Sequence, residues 1–98
     1  MQLTLNIEGK EKTFESGFVP ALHYREYLKA SKDMDFRRLS EDDYDTLIGL
    51  LTKSFSTQFT VDEFWNGVDV AKLDEVLAEF IYFLSGKIKD EGNEKKTE

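Results

Sequence analysis

Polar and apolar residues alternate with a period of two along Gln2-Leu3-Thr4-Leu5-Asn6-Ile7-Glu8. That period predicts a half-buried strand with Leu3, Leu5 and Ile7 on one face. Gly9-Lys10 supplies a turn, and Glu11-Lys12-Thr13-Phe14-Glu15 can return as the second strand of a hairpin. A lone hairpin is marginal in water, so its apolar face must pack on helices, while its outer edge stays open to strand addition.

Beyond Gly17 the period changes to that of a helix. Pro20 suits a helix start, and the pattern continues to about Ser31 with Ala21, Tyr24, Tyr27 and Leu28 as its apolar side. Lys32 to Leu39 reads as a connection with Met34 and Phe36 turned inward. Ser40 and the acidic run Glu41-Asp42-Asp43 open a second helix, placing negative charge where the helix dipole favours it. Its stripe is Tyr44, Leu47, Ile48, Leu51 and Phe55. Ser54 to Gln58 turn the chain toward Thr60, which with Glu63 has capping-box spacing. Phe64 and Trp65 give this short third helix an aromatic plug, and Gly67 permits the next turn. Asp69 can cap a long fourth helix, in which Val70, Leu73, Val76, Leu77, Phe80, Ile81, Leu84 and Ile88 recur every three or four positions. Tyr82 and Phe83 fall outside the middle of that stripe, so the end of the helix is apolar on almost every side.

The fold class that follows is mainly α with a short N-terminal β-hairpin (α+β), a small bundle of about four helices. Residues 1–89 form one globular domain in this reading, and 90–98 a flexible polar tail. A chain of 98 residues has room for one small core, and its 13% aromatic content can thicken that core. The absence of cysteine removes disulfides and thiolate ligands and fits a cytoplasmic protein. No apolar run approaches the roughly 20 residues of a membrane-spanning helix, and the N-terminus does not read as a signal peptide.

Charge and chemistry narrow the function. A net charge of −7 argues against nucleic acid or an anionic membrane as partner. His23 is the sole histidine and there is no cysteine nucleophile, so His23 reads as a surface or packing residue rather than a general base. No glycine pattern for phosphate or dinucleotide binding occurs. Glu41, Asp42, Asp43 and Asp45 lack the glycine turn of a calcium loop, and consecutive helical carboxylates point to different sides. No Asp-Ser pair is present for a carrier-protein attachment site. Nothing calls for a cofactor or a metal, and the chain reads as a non-enzymatic, contact-making protein. Candidate contact residues are Tyr82 and Phe83, on the over-apolar helix end, and the arginine pair Arg37-Arg38, suited to an acidic partner.

Two stretches resemble a known family. Leu3-Thr4-Leu5-Asn6-Ile7-Glu8-Gly9-Lys10-Glu11-Lys12-Thr13-Phe14 is one. The other is Phe59-Thr60-Val61-Asp62-Glu63-Phe64-Trp65-Asn66-Gly67-Val68-Asp69 with the helix Leu73 to Leu84 after it. In order and spacing they are similar to the small tail assembly chaperones of long-tailed bacteriophages and prophages. The resemblance implies a mostly helical protein of the host bacterial cytoplasm that coats the tape measure protein and helps recruit tail tube subunits around it. It also implies a longer product made by programmed ribosomal frameshifting, and Glu91-Gly92-Asn93-Glu94-Lys95-Lys96 can be encoded by slippery heptamers. Tyr82 and Phe83 fit a helix-in-groove contact or self-association through the same surface. The competing reading is an acidic helical inhibitor that mimics nucleic acid. It requires carboxylates in regular rows, whereas Glu41 to Asp45 form a cluster.

Overall fold

The computed structural model describes residues 1–86. Strands β1 (Gln2–Ile7) and β2 (Lys10–Glu15) form an antiparallel hairpin, followed by helices α1 (Ala21–Ser31), α2 (Glu41–Ser54), α3 (Val61–Gly67) and α4 (Leu73–Leu84). A single 3₁₀ turn, Val70–Lys72, precedes α4. The expected class, a hairpin followed by about four helices, is the one observed. Ile88, the polar tail over 90–98 and the slippage segment lie outside the described residues.

Hairpin geometry differs from the expected one by a residue at the turn. Ile7 pairs with Lys10, so the connection is Glu8-Gly9 rather than Gly9-Lys10. Both turn residues have positive φ, 53° and 81°, which matches the right-handed twist of the flanking strands. Leu3 and Leu5 are buried on the face that alternation assigns to the core. Phe14, opposite Leu3, adds its ring to that face and meets Phe59 at a centroid distance of 5.0 Å.

Local capping sets the helix boundaries. Ser40 accepts from the Asp43 amide while the Asp43 carboxylate accepts from the Ser40 amide, a reciprocal box that starts α2. Thr60 and Glu63 form the same arrangement at α3. Leu47, Ile48, Leu51 and Phe55 are completely enclosed, as their spacing predicts, and Leu50 is buried beside them. Phe59, Phe64 and Phe80 complete the core, with Leu77 next to Phe80 on α4.

Four further expectations are corrected. Val70 is 86% exposed, because Asp69 caps a 3₁₀ turn through the Ala71 amide and the helical stripe begins only at Leu73. Lys72, at the junction of the turn and α4, has φ −109° and ψ −5°, so the backbone leaves the regular helical path there and Val70 does not continue the α4 stripe. Trp65 is not part of the plug; Phe64 fills the core while the neighbouring side chain points outward, 37% exposed and edge-on to Tyr44. On α1, Ala21 and Leu28 are exposed and Tyr24 and Tyr27 half-buried, whereas His23 is the buried residue. Its Nδ1 lies 2.8 Å from Ser54 Oγ on α2, so a polar contact, not an apolar stripe, anchors the helix. In the connection Met34 turns partly inward, but Phe36 stays exposed with its ring 6.4 Å from Tyr27.

Candidate functional site

A groove runs beside β1. It encloses about 580 Å³ and is lined by Gln2, Thr4 and Asn6 on one side and by Val68, Asp69, Lys72, Glu75, Val76 and Glu79 on the other. The backbone register explains what β1 presents there. The two-residue turn makes Ile7 and Lys10 a hydrogen-bonded pair, and at the far end Ser16 donates to the Met1 carbonyl. Bonded and non-bonded pairs alternate in an antiparallel ladder. The amides and carbonyls of Leu3, Leu5 and Ile7 therefore point at β2, and those of Gln2, Thr4 and Asn6 point away from it. On the opposite edge the rule gives Glu11, Thr13 and Glu15 as outward, and Gln58 Nε2 does donate to the Glu15 carbonyl at 2.7 Å.

The groove is closed at one end. Gly67, the last residue of α3, packs against the outward backbone of Asn6 with room for no side chain: a Cβ there would stand 2.9 Å from the Asn6 carbonyl oxygen. A smaller hollow of about 190 Å³, lined by Asn6, Ile7, Glu8, Asp62, Glu63 and Asn66, shares Asn6 and Asn66 with the groove. Along the helical wall, Glu75 and Val76 lie three and four residues after Lys72, Glu79 lies four and three residues after them, and Tyr82 and Phe83 continue the same row. Among the described lining residues carboxylates outnumber cations. Lys72 Nζ sits 4.0 Å from Glu75, which leaves Glu11, Asp69 and Glu79 as further negative charge in the lining.

Tyr82 and Phe83 differ in what they can offer. Tyr82 is 56% exposed, whereas Phe83 is half-buried and packed on the core. Arg37 and Arg38 are both exposed in the connection before α2, and Arg37 Nε makes a local 3.3 Å contact with Asp35. Among the described residues no hydrogen bond or ion pair joins the arginines to Tyr82 or Phe83. The outer edge of the hairpin is legible in the sequence but the groove is not, because it arises only when α3 and α4 fold back beside β1.

Elsewhere, two polar contacts tie helices together. Lys53 Nζ donates to Glu26 at 2.9 Å between α2 and α1, and this bond holds the Glu26 carboxyl below its ordinary pKa. Tyr44 donates to Asp74 at 2.7 Å between α2 and α4. The His23–Ser54 pair is enclosed, with Ser54 only 2% exposed, so the hydroxyl has no open approach for a substrate. No helix among the described residues is long and apolar enough to cross a membrane.

An acidic groove edged by backbone, an exposed aromatic on the same helix and an enclosed polar pair are the salient features of this small α+β domain. The full chain, residues 1–98, matches the family described as phage tail chaperone protein, and the chain belongs to that family. No curated protein and no solved structure matches it.

Proposed function

We propose that the protein is a non-enzymatic tail assembly chaperone that binds the tape measure protein in the host bacterial cytoplasm and assists assembly of the tail tube around it. Family membership supports the assembly role. The observation that carries the contact is Tyr82, a large aromatic left 56% exposed at the C-terminal end of α4, with Phe83 beside it. An apolar helix of a partner, or a second copy of the chain, covers such a residue by the helix-in-groove mode. Arg37 and Arg38 offer cations to acidic positions on the partner or on a tail tube subunit. Neither nucleic acid nor membrane enters this reading, because the net charge of −7 opposes both. Mimicry of nucleic acid draws little support from the geometry, since Asp43 and Glu63 are engaged in capping boxes instead of standing in an exposed row.

Co-expression of the chain with a tape measure protein, followed by size-exclusion chromatography, tests the proposal. The wild-type chain should keep the tape measure protein soluble and elute with it. Tyr82→Ser should weaken that complex, while Phe83→Ser will also disturb the core and is the less informative change. Failure of the wild type to hold any tape measure protein in solution would overturn the reading.

A further inference from the structure

We propose that the outer edge of β1, unpaired among the described residues, takes a third strand: an extended segment of another protein chain carrying Lys or Arg at alternate positions. Tyr82 stands one turn beyond Glu79 and does not line this groove, so the proposal does not depend on what that aromatic binds. Gln2 and Thr4 each turn one N–H and one C=O out of the hairpin into the groove. Their side chains are engaged elsewhere. Gln2 Nε2 donates to Glu15 at 2.6 Å, and the hydroxyls of Thr4 and Thr13 meet at 2.9 Å. What the edge offers is therefore backbone, and outward backbone groups at strand spacing are matched by another extended chain, since a helix satisfies its own.

Charge selects the occupant. Among the described residues the lining contains Glu11, Asp69, Glu75 and Glu79 against one cation, Lys72, which is already beside Glu75. Side chains alternate across an added strand, so every second one faces α4, where Glu75 and Glu79 stand one helical turn apart. A lysine or arginine in those positions meets a carboxylate. Gly67 fixes where pairing stops. Its contact with Asn6 occupies that residue's outward carbonyl and amide face, so the added strand runs beside Gln2 and Thr4 and ends there.

The test uses the full-length, nitrogen-15-labelled chain and a blocked octapeptide alternating lysine and valine. Titration should shift the Gln2 and Thr4 amide resonances and slow hydrogen exchange at Thr4. A glutamate–valine peptide should do neither. Thr4→Pro removes an outward N–H without removing a hairpin bond, and should abolish the effect. Glu79→Lys, an exposed change that leaves the hairpin intact, should weaken binding about threefold or more, and it keeps the test informative if Thr4→Pro fails to fold. The proposal is overturned if the basic peptide leaves these amides unchanged, or if the acidic peptide binds as well. It is equally overturned if the Thr4 amide is already protected in the free chain. Protection at every concentration would identify the chain's own residues as the occupant, and protection that grows with concentration a second copy.

Discussion

Gly67 and Asn6 are in backbone contact across the α3–β1 junction, close enough that an added Cβ would lie 2.9 Å from the Asn6 carbonyl oxygen and 3.1 Å from Leu5 Cβ. Gly67 ends a helix and has no positive φ, so by propensity alone alanine would be the better residue, by up to about 1 kcal/mol. The contact reverses that expectation. Its nearest neighbours are main-chain atoms and a buried leucine, which cannot swing aside, and forcing extra volume into such a place costs about 1–3 kcal/mol. Gly67→Ala should therefore lower the denaturation midpoint, and a stabilised variant would show that α3 does not approach β1 this closely.

His23 and Ser54 make a similarly specific link, here between α1 and α2. The pair is enclosed at 2.8 Å, and α1 buries no other residue. Removing the hydroxyl strands the imidazole Nδ1 in a site closed to water. Ser54→Ala should cost about 1–3 kcal/mol, the usual penalty for an unpaired buried polar group. Loss of protection in α1 amides ahead of those in α2, followed by hydrogen exchange, would place the effect at this link; uniform loss across both helices would not.

Much of this architecture is legible in the sequence because local signals set it. The Thr60–Glu63 box, the alternation of Leu3, Leu5 and Ile7, and the Leu47-Ile48-Leu51-Phe55 stripe each specify an element and its buried face. Features decided by neighbours are not legible in this way. Val70 fits the stripe of α4 by spacing, yet the Asp69 cap diverts it into a 3₁₀ turn. Leu28 looks like a core residue, but α1 is held by His23, a polar anchor that periodicity cannot reveal. Phe59, enclosed between Phe14 and Phe55, lies just outside any helix and so had no periodic partner to announce it. The groove was half legible. Alternation gave an open strand edge, while its acidic wall is brought there by the close Gly67–Asn6 approach.

Leu77 tests whether α4 is a principal part of the core. It is buried in the row that runs from Leu73 through Phe80, and α4 packs on both α1 and α2. Leu77→Ala should cost about 2–5 kcal/mol, through lost burial and the cavity left between three helices. Chemical denaturation with an unchanged slope and a lower midpoint is the expected result. An unchanged midpoint would mean that α4 contributes little to the cooperative unit.

The Tyr44–Asp74 bond should be visible in alkaline solution. The phenol donates to the carboxylate at 2.7 Å, and this bond holds the Tyr44 pKa above that of an ordinary tyrosine, with desolvation and the negative charge of Asp74 acting in the same direction. A raised pKa in the folded chain means that the folded state binds the proton more tightly than the unfolded state. The bond's contribution is thus fully present below the ordinary tyrosine value of about 10 and is lost as pH rises through the higher folded value. The chain has four tyrosines, so Tyr44 is isolated by subtracting the tyrosinate absorbance of Tyr44→Phe from that of the wild type. The difference curve should have its midpoint above that of a free tyrosine, and Asp74→Ala should bring it down. Stability should follow the same course: the gap between wild type and Tyr44→Phe should narrow as pH rises through that midpoint. A difference curve centred at the ordinary value, unmoved by Asp74→Ala, would show that the α2–α4 bond is not formed in solution.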